Sequence, residues 1–223
     1  MANSGSRRKL IEHEMREQAA ELFAKRGFSN TTLREVAEVM GISRAAIYHY
    51  IESKEELLIE LVKGLAQETA DNLEAIHRAD GSPSDKLYQA ISTTAATVAS
   101  NAARWRLLEL SEGSLPPDLA TEHRANRDRA LKAMTELMHE AVNTGAARPV
   151  DEEVAAFGIM GACNWVAWWR SSRPDLRSGE LGAILAKAIT TGLLYAGEAP
   201  RTTDDAITAI RENLEFLQRQ IKG

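Results

Sequence analysis

The stretch SRAAIYHY, residues 43–50, combines an arginine, two tyrosines and a histidine within two helical turns. On a helix, Arg44, Ala45, Tyr48 and His49 lie outward. Tyr and His supply directional hydrogen bonds with few rotatable bonds, and a guanidinium can bind guanine or a phosphate in a forked manner. These groups suit a helix that reads base edges in the major groove of DNA. The alternative is an exposed amphipathic helix without a partner.

A second chemically dense stretch, GIMGACNWVAWWRSSRP, ends on three tryptophans and two arginines. Trp165, Trp168 and Trp169 offer an apolar aromatic lining, and Arg170 and Arg173 place positive charge beside it. An amphipathic ligand with an apolar acid at one end and phosphates at the other would match both the aromatic lining and the positive charge. The alternative for the arginines is a solvated helix end, where cations favour the macrodipole.

The same tryptophans share helical spacing with Val154, Gly158 and Gly161. Small residues let helices approach closely, so core or dimer packing is the competing interpretation of this face. A second apolar stripe for such packing follows in the next helix: Leu181, Ile184, Leu185, Ala188 and Tyr195.

Further ligand-contacting positions are predicted among the large apolar residues of the same part of the chain and one amide. Methionines adapt to varied apolar ligands, although plain core packing is their alternative role. These positions are Trp105, Met134, Met138, Phe157, Met160 and Asn164.

The elements that must position these residues are all predicted to be helices. Thr32–Glu35 and Ser53–Glu56 are capping boxes, and Ser43 caps the helix between them. The predicted helices span about 6–26, 32–40, 44–50, 54–65 and beyond, 84–101, 103–112, 117–144, 151–172, 178–197 and 202–221.

Helices 32–40 and 44–50 have the spacing of a helix-turn-helix around Gly41. Val36, Ala37 and Ile47 are predicted to hold the pair together, and the small Ala37 allows close approach. The basic run at Arg7–Lys9 could add phosphate contacts, or it could be a solvated terminus.

Composition sets the class of protein. Hydrophobic residues make up 44% of the 223-residue chain and charged residues 26%, and no apolar run is long enough to cross a bilayer, so we expect a soluble chain. Residues 1–54 hold nine Lys or Arg against seven Asp or Glu, and the remainder eighteen against twenty-five. A basic N-terminal part and an acidic remainder suggest that the two parts of the chain have separate roles. The lone Cys163 fits a reducing cytoplasm and most simply packs as a small hydrophobe.

Motifs for catalysis or cofactor binding are not found. The sequence has no phosphate-binding Gly-rich loop, no nucleophile elbow and no zinc-protease motif, and its five histidines lack metal-ligand spacing. We therefore expect no catalytic residues, no metal and no cofactor.

The segment AAELFAKRGFSNTTLREVAEVMGISRAAIYHYIESKEELL resembles the tetracycline-repressor (TetR) family of one-component regulators along its whole length. The resemblance implies a homodimer that binds a palindromic DNA operator and a helical domain that binds a small-molecule effector. It also implies phosphate contacts at Thr31, Thr32, Tyr50 and Lys54, with Arg44, Ala45, Tyr48 and His49 facing bases.

The Asn164-Trp165 segment with its following Arg-Pro resembles a subgroup of that family that senses acyl-CoA thioesters. The chain departs from the subgroup pattern, because Ser171 and Ser172 separate Arg170 from Arg173-Pro174.

The predicted fold is all-α, with a three-helix helix-turn-helix DNA-binding domain at 6–53 and a helical effector-binding and dimerisation domain at 54–223. The predicted function is a ligand-responsive transcriptional repressor in the cytoplasm, although activation stays open. The alternatives are a helical binding protein or enzyme with a vestigial DNA-reading head, and a regulator of this family that senses an uncharged hydrophobic compound.

Overall fold

A computed structural model describes residues 3–194 of the chain. Over these residues the chain forms ten α-helices and no strand, apart from one isolated bridge between Ala147 and Leu194. The helices are α1 (Asn3–Arg26), α2 (Leu33–Val39), α3 (Arg44–Ile47), α4 (Lys54–Val62), α5 (Leu65–Arg78), α6 (Pro83–Ser100), α7 (Ala102–Ser111), α8 (Pro117–Asn143), α9 (Glu152–Trp169) and α10 (Ser178–Leu193). The all-helical prediction is therefore confirmed for this part of the chain.

Local sequence signals explain where the first helices begin. Thr32 forms the predicted capping box with Glu35, and the hydroxyls of Ser43 and Ser53 accept hydrogen bonds from backbone amides of α3 and α4. These contacts satisfy amides that have no partner within their own helix. Gly41 adopts a positive φ of 66° in the turn between α2 and α3, a conformation that favours glycine.

Two predicted helix boundaries are wrong. The helix that begins at Lys54 does not continue past Val62, because Gly64 has a φ of 80° and caps a separate helix, α5. The helix predicted over 44–50 is regular only to Ile47, after which Tyr48 to Tyr50 continue as tight turns. The predicted helix over 202–221 and the end of the one predicted over 178–197 lie outside the described residues.

The helices enclose one continuous apolar core that runs from Met15 in α1 to Ala186 in α10. In its back half, α6 packs closely against α10 at Gly182, where a Cβ would collide with the carbonyl oxygen of Ser92. Helix α7 packs against α1 and α4 on one side and against α9 on the other. It therefore lies between the N-terminal helices α1 to α4 and the rest of the larger domain formed by α5 to α10, which we call the back domain. Within the described residues, no helix is both long and apolar enough to span a bilayer.

Candidate functional site

The first candidate surface is formed by α2 and α3. Val36, Ala37 and Ile47 are buried between them, as predicted, and the amide of Ile42 donates to the carbonyl of Ala37 across the turn. This packing leaves Arg44, Ala45, Tyr48 and His49 exposed. Tyr48 is 48% exposed, which is high for a large aromatic side chain. The exposed edge of α3 therefore presents a cation, a phenol and an imidazole side by side.

The four residues to which the family resemblance assigns phosphate contacts lie in different environments. Thr32 is exposed at the start of α2, where its hydroxyl donates to the Glu35 carboxylate, and Tyr50 is half-buried. The backbone N–H and hydroxyl of Thr32 hold the pKa of the Glu35 carboxyl below its usual range.

The assignment fails at Thr31 and is altered at Lys54. Thr31 is fully buried and its hydroxyl donates to the carbonyl of Gly27 at 3.0 Å, so its side chain does not reach the surface. The ammonium of Lys54 donates to the carbonyls of Phe28 and Ser29 and lies 4.5 Å from the Phe28 ring centroid. An ammonium has three donors, so Lys54 uses two to hold the loop between α1 and α2 and retains one.

The second candidate site is a cavity of about 260 Å³ inside the back domain, enclosed by α5, α7, α8 and α9. Its apolar lining comes from Ala66, Leu108, Ala130 and Met160. Its polar lining comes from Thr69, Trp105, Glu109, Glu112, His123, Arg127 and Asn164. This mixture of apolar walls and a few polar groups is typical of a small-molecule site.

The polar groups of the cavity differ in how they are satisfied. Glu109 accepts a hydrogen bond from Trp168 Nε1 at 3.1 Å, and the Arg127 guanidinium lies 3.8 Å from the Glu112 carboxylate. Burial lowers the pKa of His123, which favours the neutral form of its imidazole. Over the described residues, Trp105 Nε1 is the one buried side-chain nitrogen or oxygen without a hydrogen-bond partner.

Only three of the predicted ligand-contacting residues line this cavity: Trp105, Met160 and Asn164. Met134 and Met138 are fully buried and belong to the core, and Trp169 is half-buried and packs against it. Phe157 is 55% exposed on the outer face of α9. These four residues therefore do not line this cavity, and their contact with a ligand stays a prediction.

The predicted cation cluster is already paired. Arg170 donates to the carbonyls of Arg173 and Leu176, and Arg173 forms a bidentate pair with Asp175 at 2.8–2.9 Å. The bidentate hydrogen bonds raise the pKa of Arg173 and lower that of Asp175. Neither arginine lines the cavity, because Arg170 bonds to backbone carbonyls of the loop after α9 and Arg173 bonds to the carboxylate of Asp175 in the same loop.

Trp165 and Trp168 instead belong to an exposed apolar face of α9. Their rings stack at a centroid distance of 6.0 Å, and Trp165 is 62% exposed. The helical repeat continues this face through Gly161, Gly158, Phe157 and Val154, and α10 adds Ile184 and Ala188. We name these residues the outer face. Leu181, which was predicted to share such a stripe, is buried in the core.

Helix α7 connects the cavity to the N-terminal helices through the two residues that flank Trp105. Arg104 Nε donates to the carbonyl of Leu61 at 2.6 Å, in the last turn of α4. Arg106 Nη1 donates to the carbonyl of Ala167 at 2.6 Å, in the last turn of α9, and its Nη2 lies 3.4 Å from the Glu21 carboxylate on α1. Each guanidinium thus donates a hydrogen bond to a carbonyl at a helix C-terminus. The last carbonyls of a helix have no partner within that helix, and the helix dipole favours a cation there.

Sequence reasoning missed the titratable lining residues Glu109, Glu112, His123 and Arg127, and both arginines of α7. One signal was present, since Glu109 follows Trp105 by four residues and Arg127 follows His123 by four, which places each pair on one helix face.

A helix-turn-helix with an exposed second helix, joined by packed helices to a domain with an internal cavity, is typical of DNA-binding regulators that respond to a ligand. Comparison with known proteins gives the family. Residues 16–61 match the family described as bacterial regulatory proteins, tetR family, and residues 80–193 match the tetracyclin repressor-like C-terminal domain. The chain therefore belongs to the TetR family of transcriptional regulators, and the resemblance seen in the sequence is confirmed.

Relatives cover most of the chain at low identity. The HTH-type transcriptional repressor KstR2 of Mycobacterium tuberculosis (strain ATCC 25618 / H37Rv) is 22% identical over 187 residues, 82% of this chain and 93% of KstR2. The TetR family regulator PfmR from Thermus thermophilus is 25% identical, with a TM-score of 0.67 over 81% of this chain and 99% of PfmR. AibR, solved in complex with isovaleryl coenzyme A and operator DNA, is 20% identical, with a TM-score of 0.62 over 79% of this chain and 96% of AibR.

Proposed function

We propose that the chain is a cytoplasmic, homodimeric repressor without catalytic activity, which binds a palindromic operator and is released from it when an effector enters the cavity. The observation that carries the proposal is the exposure of Arg44, Ala45, Tyr48 and His49 on a helix that is anchored from behind by Ile47. We assign DNA binding to residues 6–53 and effector binding with dimerisation to residues 54–223.

Base contacts are proposed for the exposed edge of α3. Tyr48 and Arg44 carry the hydrogen-bonding groups, and the Ala45 methyl can pack against a thymine methyl. Thr32, Tyr50 and the remaining donor of Lys54 are the proposed phosphate contacts, which position the domain without selecting sequence.

The proposed dimer uses the outer face. Exposed apolar residues on α9 and α10 are unfavourable in water, and the glycines at 158 and 161 of α9 allow a second helix to approach closely. Pairing α9 and α10 of two copies about a two-fold axis would bury Phe157, Trp165 and Ile184 on both sides. Such a dimer presents two copies of α3, which must match half-sites roughly 34–36 Å apart.

The proposed effector is an amphipathic molecule, with an acyl-CoA thioester as the leading class. Support comes from the apolar walls of the cavity and from AibR, which was solved with isovaleryl coenzyme A. The volume of 260 Å³ lies just below the roughly 300–1,000 Å³ of pockets for drug-sized ligands, so it would hold an acyl group but not a whole coenzyme. The coenzyme part would then lie outside, past Arg127, whose side chain is 56% exposed.

An uncharged hydrophobic effector is the second candidate. The pairing of Arg173 with Asp175 favours it, because one of the two positive charges expected beside the tryptophans is neutralised by a carboxylate.

The proposed signal passes through α7. Effector contact at Trp105 would shift this helix, and with it the hydrogen bonds of Arg104 to α4 and of Arg106 to α9. A small rotation of α4 and α1 would change the separation of the two reading helices in the dimer. An effector that binds more tightly to the dimer whose α3 helices do not match the spacing of the half-sites then releases the DNA by population shift.

A gel-shift assay tests this function. The purified protein is mixed with the DNA upstream of its own gene, with and without acyl-CoA thioesters and the matching free acids. We expect a retarded band that the thioesters remove at concentrations at least about tenfold lower than the acids, about 1.4 kcal/mol. Retardation with no response to any ligand would contradict the effector role, and release by uncharged compounds alone would favour the second candidate.

A further inference from the structure

A groove of about 540 Å³ lies between α1 and the start of α7, and the loop after α9 completes its lining. We name it the α1–α7 groove. It shares no lining residue with the cavity of the back domain. Its volume falls within the roughly 300–1,000 Å³ of small-molecule sites, and such sites are common where two domains meet.

Positive charge exceeds negative charge in this groove. Its lining contains four cationic side chains and two carboxylates: Lys25, Arg104, Arg106, Arg170, Glu17 and Glu21. Glu21 is shared by two of the cations, at 3.4 Å from Arg106 and 3.7 Å from Lys25. Four cations less two carboxylates leave a net charge of +2, although the whole chain carries −5.

The guanidinium groups of Arg104 and Arg170 are held in place by uncharged oxygens. Arg104 Nε donates to the carbonyl of Leu61, its Nη1 donates to the side chain of Asn101 at 3.0 Å, and Arg170 donates to two carbonyls of its own loop. Within residues 3–194, neither guanidinium has a carboxylate as hydrogen-bond partner, so these bonds fix its position without neutralising its charge. Burial lowers the pKa of Arg104, because its charged form is partly desolvated. An anion beside it would therefore gain more than one beside a fully exposed arginine.

Each of these two guanidinium groups also has an unused N–H that solvent can reach. Arg104 Nη2 and Arg170 Nε have no hydrogen-bond partner in the part of the chain that the structure describes. Neither nitrogen is buried, because Trp105 Nε1 is the one buried side-chain nitrogen or oxygen without a partner over the same residues. Since both arginines line the groove, a ligand oxygen can accept these N–H groups without displacing a protein partner.

We propose that the α1–α7 groove binds a phosphorylated small molecule, whose phosphate oxygens contact Arg104 and Arg170. The planar fork of a guanidinium matches two phosphate oxygens, and a phosphate dianion matches the net charge of the groove. A carboxylate monoanion would balance only half of that charge. The site is independent of the function proposed above, because none of its residues lines the cavity or belongs to α3.

The position of the groove favours a small ligand over the phosphates of the operator. Arg104 contacts Leu61 in the last turn of α4, whereas Lys54, a proposed phosphate contact, begins that helix. A helix of nine residues is about 13 Å long, so the groove lies at the end of α4 that is distant from the proposed DNA surface.

Isothermal titration calorimetry on the full-length protein, at constant ionic strength, tests the site with three probes: pyrophosphate, ADP and adenosine. We expect pyrophosphate and ADP to bind once per chain and adenosine not to bind. ADP that binds at least about tenfold more tightly than pyrophosphate would identify a nucleotide as the ligand, and equal affinities would identify the phosphate groups alone. Either result supports the site.

Substitutions locate the bound phosphates. Arg104→Gln and Arg170→Gln should each weaken pyrophosphate binding at least about tenfold, because each removes a charged donor. Lys25→Gln should weaken it about two- to fivefold, and its 73%-exposed side chain can be changed without disturbing the packing if Arg104→Gln fails to fold. Arg78→Gln is the matched control, since Arg78 is 69% exposed and lies outside the groove, and it should bind pyrophosphate like the wild type.

Lack of saturable pyrophosphate binding by the wild type would overturn the proposal. So would wild-type affinity in both Arg170→Gln and Lys25→Gln, or an equal loss in Arg78→Gln. Fluorescence anisotropy with DNA from upstream of its own gene separates the operator from the small ligand. Without pyrophosphate, Lys25→Gln and Arg170→Gln should bind this DNA like the wild type. Loss of DNA affinity with unchanged pyrophosphate affinity would assign the groove to the operator instead and overturn the proposal. Pyrophosphate binding that depends on Arg170, in a protein whose DNA binding responds to no acyl-CoA or uncharged compound, would support the groove and contradict the effector role of the cavity.

Discussion

Arg106→Met tests whether α7 joins the two parts of the chain as the structure indicates. The Arg106 side chain is 14% exposed, and its guanidinium caps the end of α9 through the carbonyl of Ala167. A hydrogen bond from a charged donor contributes about 1.5–3 kcal/mol, and the longer pair with the 44%-exposed Glu21 adds about 0–1 kcal/mol. Methionine keeps most of the apolar stem and removes both contacts. We expect the free energy of unfolding to fall by about 2–4 kcal/mol.

Urea denaturation followed by circular dichroism measures this loss. Arg16→Met is the matched control, since Arg16 is 39% exposed and pairs with Glu60 at 3.1 Å, and it should cost less than about 1 kcal/mol. Below the unfolding transition, Arg106→Met should also bind effector like the wild type but require more of it to release DNA. An unfolding free energy within about 0.5 kcal/mol of the wild type, together with unchanged release, would refute the role assigned to Arg106.

Three further predictions concern packing and ionisation. Gly182→Ala should lower the free energy of unfolding by about 1–3 kcal/mol, because the new methyl collides with the Ser92 carbonyl; thermal melting measures it, and an unchanged melting temperature would contradict the close packing of α6 and α10. Burial raises the pKa of Cys163 to about 12, so the native protein should not react with Ellman's reagent at pH 8 while the urea-unfolded protein reacts fully; rapid native labelling would contradict the burial. The pKa of His123 is lowered in the folded state, so its contribution to stability is present above the unfolded value of about 6.5 and is lost as the pH falls below it. Unfolding of His123→Gln between pH 7 and 5 should therefore show a smaller loss of stability than the wild type, and equal losses would contradict the assignment.

The helix-turn-helix could be predicted because its signals are local. Thr32, Ser43 and Gly41 fix the ends of α2 and α3 through contacts within a few residues. Once these ends are set, burial of Ile47 determines that Arg44 and Tyr48 face outward. The pattern could not show that Thr31 is buried, because its position depends on a hydrogen bond to the end of α1.

The cavity was harder to predict because its lining comes from four helices that are distant in sequence. The sequence pattern of an apolar residue on α9 is the same whether the residue faces the core, the cavity or another subunit. It therefore could not show that Met160 lines the cavity while Phe157 is exposed on the outer face. Charge at helix ends is equally ambiguous, since Arg173 pairs with Asp175 two residues later rather than with a ligand. Periodicity identifies a helix face but not what covers it.

Operator binding by α3 variants tests the central claim most directly. Fluorescence anisotropy with DNA from upstream of its own gene would compare Arg44→Ala and Tyr48→Ala with Arg78→Ala and Tyr88→Ala, which remove the same residue types from α5 and α6. We predict that the α3 variants lose about 1–3 kcal/mol of operator affinity with unchanged helicity, and that the controls bind like the wild type. Wild-type affinity in both α3 variants would contradict the assignment of α3 as the DNA-reading helix.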